Sequence, residues 1–413
     1  MKPITLIFAV WLAVAAPIQA VAAQPYTLEQ LVNMALTSNK GVQASAAGVD
    51  AARAGVTTAG AYPNPEVEFL AGRVSARQAG TSAGSTQTFS VTQRIDLPSQ
   101  RNLRTAIASL TLDATSAGRN VFLANLAASV KQGYFETLRR EAEFRAAEED
   151  LALMQQLYDR AQVRVDAGDA PRGESIKAET ELLNAQKNSQ SALLRVSRAK
   201  SFLRQQVGAT LPVSFAVEGR LRGAPQVGSL DSLRNTLLNA NPELTQLRTE
   251  LERARTAVDY ERSLNFPTVS VRAATDREPD SQNTRLGLVV SVPIWDRRKG
   301  PIDEAAARLI QVRSLVEARE FELSQELDSA YQQFQIAAQQ VEALESGIVR
   351  QAEASLRVAE AAYRFGERGI LEYFDAQRTL RIARSDLIAA QFDLQLAAVD
   401  IERLLATIPV GQR

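Results

Sequence analysis

The chain has 413 residues, with 47 Lys and Arg balanced by 47 Asp and Glu, 45% apolar residues, and neither Cys nor His. Zero formal charge gives no electrostatic commitment to nucleic acid or to an anionic membrane surface. The missing Cys and His exclude disulfides, thiol nucleophiles, His-based triads and zinc-finger or His-ligated metal centres. Carboxylates are plentiful but no constellation of them stands out, so an enzyme is the remotest reading and no catalytic residue, metal site or cofactor is expected.

Segment 1–23 comes first. Lys2 gives a positive start, Ile4 to Ala16 is an apolar run, and Pro17 leads into Ala20-Val21-Ala22-Ala23. This is the pattern of a signal peptide cleaved after Ala22 or Ala23. The run is too short to cross the ~30 Å of a bilayer core, and no later window offers ~18 consecutive apolar residues. The mature chain is therefore expected to leave the cytoplasm without a spanning helix and, with no Cys at its new N-terminus, without a lipoprotein anchor.

Two tandem repeats follow, 24–219 and 220–413. Leu28 aligns with Leu230, Leu31 with Leu233, Asn39 with Asn241 and Pro65 with Pro267; further on, Gly168 aligns with Gly366, Ala178 with Ala376 and Leu182 with Leu380. Each repeat reads as one helix, a β-hairpin and a pair of long helices.

The first hairpin, about 65–96, alternates Val67, Phe69 and Ala71 with Glu66, Glu68 and Leu70, then turns through a stretch holding Gly80 and Gly84. The second, about 267–294, places Leu286, Leu288, Val290 and Val292 on one face. The period of two marks strands, and ~9–11 residues is the length a tilted strand needs to cross a bilayer.

The long helix pairs are expected over about 102–208 and 301–408. No Pro interrupts 99–170 or 302–408, and both stretches are rich in strong helix formers. A helix from about 102 to 166 would be roughly 100 Å long. Spacings of three and four, as in Leu151, Met154, Tyr158, Ala161 and Val165, make coiled-coil seams. Gly168-Asp169 and Gly366-Glu367 interrupt the two patterns as turns at which the chain folds back on itself. Between the repeats, 208–228 bears Gly and Pro, with Val213, Phe215 and Val217 alternating.

Four strands cannot close a barrel, and an open sheet cannot sit in lipid with unpaired edges. If the strands cross a membrane, several copies must share one barrel. A soluble sheet within a secreted coiled-coil adaptor or structural protein is the competing reading; it explains the seams but not four bilayer-length strands placed symmetrically.

Several strings, in order and doubled, carry a resemblance: Thr27-Leu28-Glu29-Gln30-Leu31, Tyr62-Pro63-Asn64-Pro65-Glu66, Gln93 to Arg101, Val292 to Arg298, and Tyr363-Arg364-Phe365-Gly366-Glu367 followed by Asp375 to Leu380. Over about 27–408 the chain resembles the TolC-like outer membrane efflux family, and most resembles the branch serving cobalt–zinc–cadmium or nickel resistance. The resemblance implies a homotrimer in the outer membrane: a 12-stranded β-barrel continuous with a 12-helix periplasmic α-barrel. It implies a tripartite pump whose partners are a periplasmic membrane-fusion adaptor and an inner-membrane proton-driven (RND) transporter. Export of divalent metal cations is the expectation, with multidrug or organic-solute export as the alternative.

Gating is expected at the helical tips. Glu372 and Asp375, three apart on one helix, would make acidic rings in a trimer, by resemblance the periplasmic constriction. Glu174 with Arg368 or Tyr363 is the expected latch of the closed tip. Gly168, Asp169, Gly366 and Glu367 are the expected adaptor contacts. Arg297, Arg298 and Lys299 read as a strand-to-helix junction, because no aromatic platform for nucleic acid accompanies them.

Overall fold

Thr27 opens the first helix with a reciprocal capping box: its hydroxyl accepts from the Gln30 amide, and the Gln30 side chain accepts from the Thr27 amide. A computed structural model describes residues 25–406, apart from 76, 78, 79, 81, 222 and 224. The signal segment expected over 1–23 lies outside the described residues.

The first half runs α1 (Leu28–Ser38), α2 (Lys40–Gly60), β1 (Glu66–Val74), β2 (Gly84–Ile95), α3 (Pro98–Asp166) and α4 (Arg172–Val207). The second runs α5 (Leu230–Ala240), α6 (Pro242–Ser263), β3 (Thr268–Arg277), β4 (Gln282–Ser291), α7 (Lys299–Ala343), a π-helical turn (Leu344–Ile348), α8 (Val349–Arg364) and α9 (Ile370–Leu405). The second half is shorter in its hairpin turn, 278–281 against 75–83, and longer between strand and helix, 292–298 against 96–97.

One opening helix per repeat was expected; the structure has two, broken at Asn39 and Asn241. An Asn side chain offers the backbone an alternative to the helix ladder, and here it does so in full. Asn39 Oδ1 accepts from the Gly41 amide at 2.7 Å, and Asn241 Oδ1 accepts from Glu243 and Leu244 at 2.8 and 3.1 Å. Each Nδ2 then donates to a carbonyl near the end of its repeat's last helix, Gln206 at 2.8 Å and Leu404 at 2.7 Å. The elbows thus fix the short first helices against the ends of α4 and α9.

The helix α3 has 69 residues, about 100 Å at ~1.5 Å per residue. Near the strands it lies beside α2 and α6, with α7 beyond α6; towards the far end it lies between α4 and α9, with α7 and α8 beyond α9. The helices therefore form a wall four across along its whole length. Ala residues at the seams, among them Ala161, Ala178, Ala185 and Ala383, are almost fully buried and let the backbones approach closely. Among the described residues, larger side chains gather into two equatorial clusters and one distal one, with a smaller cluster around Leu380 sharing Leu356 with the distal one. Leu31, Val130, Leu203 and Leu211 centre the first, and Leu237, Leu244, Leu323 and Leu404 its counterpart in the second repeat. Met154, Leu157, Tyr363, Ile370 and Tyr373 centre the cluster near the tips. The inter-repeat segment closes the first cluster: Leu211, Phe215 and Leu221 are buried, and Tyr26 bridges Val217.

The strands form one antiparallel sheet in the order β1-β2-β3-β4. Val67 faces Val91, Val91 faces Ala273 and Ala273 faces Leu286. The edge strands β1 and β4 are exposed along their whole length. No described helix is long and apolar enough to cross a membrane.

Candidate functional site: the strand faces and the helical tips

The register sorts the sheet into two chemically different faces. One carries Val67, Phe69, Phe89, Val91, Val269, Val271, Leu286, Leu288 and Val290, and Phe69, Leu286 and Leu288 are more than 60% exposed. On a soluble protein such a patch would be a liability; against lipid it is the expected outer surface. The opposite face is hydrogen-bonded and charged. Arg272 reaches Glu68 Oε2 at 2.7 Å, Ser90 donates to the same oxygen at 3.1 Å, and Asp276 accepts from Thr88 at 2.8 Å while pairing with Arg285. Polar inside and apolar outside is the pattern of a water-filled barrel.

The strings flanking the first hairpin build its joint to the helices. Asp96, its side chain almost fully buried, takes Arg104 at 2.9 Å and Arg94 at 3.1 Å. Arg104 also donates to the carbonyls of Ala59 and Ala61, Arg101 donates to that of Gly60 and lies over the Tyr62 ring, and Gln93 donates to that of Pro63. Burial alone would raise the Asp96 carboxyl, but the two guanidiniums outweigh it and hold it below the ordinary aspartate range. In the second repeat Arg298, in the left-handed region at φ 54°, pairs with Glu261 at 2.5 Å. The basic cluster at 297–299 thus sits at a strand-to-helix joint.

At the far end both helix pairs turn the same way. Gly168 and Gly366 have φ of 82° and 73°, which Gly adopts without strain. The Asp169 amide donates to Arg164 and that of Glu367 to Ala362, while Gly168 donates to Val165 and Gly366 to Tyr363. Both turns are Schellman motifs. Gly168, Asp169, Gly366 and Glu367 are all exposed.

Glu372 and Asp375 are exposed on one side of α9, while Tyr373, Ala376 and Leu380 bury the other. Arg368 pairs with Glu372 at 2.5 Å. Glu174 and Tyr363 meet at a residue the sequence reading missed, Arg164. Its guanidinium is 3.7 Å from Glu174 and lies over the Tyr363 ring at 5.2 Å, and Tyr363 stacks on Tyr373 with centroids 6.0 Å apart. Arg164 stands four residues before Gly168, in the last turn of α3, where a cation is favoured by the helix dipole; that position was its only signal. Glu174 Oε2 and the Tyr363 hydroxyl are buried without a hydrogen-bond partner among the described residues. Among the described residues no group of three or more His, Cys, Asp or Glu is arranged to hold a metal ion.

A sheet of bilayer-length strands, apolar on one face and polar on the other, running into a wall of four helices, defines one stave of an outer-membrane channel. The chain belongs to the outer membrane efflux protein family, whose profile matches residues 31–209 and 233–407. It is 27% identical over 386 residues to the cobalt-zinc-cadmium resistance protein CzcC of Cupriavidus metallidurans, covering 93% of this chain and 91% of that one. It is 25% identical to the nickel-cobalt-cadmium resistance protein NccC of Alcaligenes xylosoxydans xylosoxydans, covering 76% and 71%. A crystal structure of a membrane protein from Pseudomonas aeruginosa superimposes with a TM-score of 0.80 at 19% identity, covering 92% of each chain. The fold expected from the sequence, membrane strands continuous with a helical tunnel wall, is the fold found, and the protein resides in the outer membrane.

Proposed function

We propose that three copies of this chain close one conduit that carries divalent heavy-metal cations from the periplasmic side to the cell exterior. The observation that carries the reading is the sheet with both edges open. β1 and β4 are bare, and in lipid every backbone group on those edges must find a partner. Three copies give twelve strands and a closed wall. The same closure supplies neighbours for the margins of the helical wall, where Ile310, Leu315 and Phe321 of α7 and Ile176, Leu183 and Leu194 of α4 are at least half exposed.

The conduit is passive, lowering the barrier for a polar solute by keeping water across lipid and periplasm. A proton-driven inner-membrane transporter supplies the energy and a periplasmic adaptor joins the two, gripping the turns at Gly168-Asp169 and Gly366-Glu367. Metal export is favoured by the resistance named for the two relatives and by the exposed Glu372 and Asp375, which in a trimer form acidic rings that admit cations. A wall without His or Cys suits conduction, since tight ligands would retain soft and borderline cations. Arg164, Glu174 and Tyr363, with Arg368 on Glu372, form the latch of the closed tip. Among the described residues Glu174 Oε2 has its ion pair with Arg164 but no hydrogen bond, and the Tyr363 hydroxyl has no hydrogen bond; both are groups that a neighbouring copy can satisfy.

The test is a deletion strain, complemented with the chain and challenged with Co²⁺, Zn²⁺, Cd²⁺ and Ni²⁺ beside dyes and detergents. Restored metal tolerance alone is expected. Restored tolerance to dyes and detergents alone would assign the conduit to organic solutes.

A further inference from the structure

The arginines of the sheet sort by face. On the polar face Arg272 pairs with Glu68, and Arg285 with Asp276. On the apolar face stand Arg73, near the end of β1, and Arg277, the last residue of β3. The register fixes their side: Arg73 follows Val67, Phe69 and Ala71 by twos, and Arg277 follows Val271, Ala273 and Thr275. Both are exposed, and neither has a carboxylate partner among the described residues. Among the described residues, the one side-chain bond at either is a long contact of 3.4 Å from Arg277 to Gln282. They are also neighbours: Arg73 opposes Ser85 on β2, and Arg277 opposes Gln87, two positions along the same strand and face.

A lipid-facing cation costs ~2–4 kcal/mol at the bilayer midplane and close to nothing at the interface. Unpaired arginines on this face are therefore tolerable only at headgroup level, which is where the hairpin ends put them. The end is the outer one, because the helical wall extends from the opposite end of the strands into the periplasm. A guanidinium without a carboxylate has its planar donor fork free for a phosphate.

We propose that Arg73 and Arg277 form a binding site on the outer rim of the barrel for the phosphate groups of a phosphorylated glycolipid of the outer leaflet, whose acyl chains lie on the apolar band below. Three such sites per trimer would tether the channel to its lipid surround and fix its depth. The site rests on the trimeric outer-membrane reading, and its failure is distinguishable: an absent trimer defeats that reading, and a trimer blind to lipid phosphate defeats only this one.

The experiment uses the purified trimer in detergent, titrated with bisphosphorylated lipid A, with lipid A stripped of both phosphates, and with inorganic phosphate, and read by native mass spectrometry. The wild type is expected to bind the bisphosphorylated lipid at least about tenfold more tightly than the stripped lipid, or ~1.4 kcal/mol. The double variant Arg73→Gln/Arg277→Gln is expected to lose that preference, and Arg73→Lys/Arg277→Lys to retain part of it. Trimer migration on unheated gels and planar-bilayer conductance are expected to be unchanged in both, which separates lost binding from lost fold. Equal wild-type binding of the two lipids, or an undiminished preference in the Gln variant, overturns the site. Displacement of the bound lipid by inorganic phosphate alone would show an anion site rather than a glycolipid site, and would likewise overturn it.

Discussion

Asn241, buried in the elbow between α5 and α6, donates to the carbonyl of Leu404 at the end of α9 at 2.7 Å, as Asn39 does to Gln206 at the end of α4. One side chain thus ends a helix, starts the next and ties both to the last helix of its repeat. Replacing Asn241 by Ala removes a cap worth ~1 kcal/mol and leaves the buried Leu404 carbonyl unpaired at a cost of ~1–3 kcal/mol. Asn241→Ala should lower the melting temperature in detergent clearly, and Asn39→Ala less, because Asn39 is only half-buried. Equal and negligible effects would show that the elbows are held by packing alone.

The joint at Asp96 should be acid-labile. Its carboxyl is depressed in the folded chain, so its contribution is complete above the ordinary aspartate value of ~3.9 and is lost as the pH falls through the lower folded value. Arg104→Ala should cost about 2–3 kcal/mol by leaving a buried carboxylate short of a partner. Unfolding of wild type and variant from pH 7 down to pH 2 checks both the size of the gap and its closing in acid.

Asp400 has the opposite sign. Burial in α9 raises its carboxyl, with Arg403 and Gln132 only partly opposing this. A raised folded value means that the ionised group works against the fold above it, and that this cost vanishes below the unfolded value. Asp400→Asn keeps the acceptor for Gln132, whose Nε2 lies 3.2 Å from Oδ1. It should stabilise the protein at pH 7 and make no difference near pH 3. Thermal unfolding at the two pH values gives the comparison.

At the tips, Arg368→Glu sets a carboxylate against Glu372 and Glu367, and Tyr363→Phe removes a hydroxyl buried without a hydrogen-bond partner among the described residues. Charge reversal at Arg368 should raise ion conductance in planar bilayers. Arg164→Gln, which takes the cation from between Glu174 and Tyr363, should raise it further. Conductance unchanged in both would remove the latch.

Much of this was legible in the sequence because its signals are local. Period-two alternation placed the strands, the long stretches without Pro placed the great helices, and Gly168 and Gly366 marked the turns. The elbows were less legible. Asn39 lies in a run of helix-compatible residues, and only Pro242, directly after Asn241, signals a new first turn. The π-helical turn at Leu344–Ile348 had one mark, Gly347 in an otherwise helical run. Of Arg164 only the helix-end position was legible; its contact was not, since it joins α3 to α4 and α8 and depends on which side chains the packed wall brings face to face. The face sorting of Arg73 and Arg277 required the register, which a shift of one residue would invert.

Inter-chain disulfide trapping across the sheet edges is the most direct test of a wall completed by neighbouring copies. The chain has no Cys, so Phe69→Cys on β1 can be combined in turn with Leu286→Cys, Leu288→Cys and Val290→Cys on β4, without competing thiols. Oxidation in outer-membrane fractions should give covalent dimers and trimers for at least one register, and none for either single variant. A chain that stays monomeric and water-soluble for every pair would contradict the shared barrel.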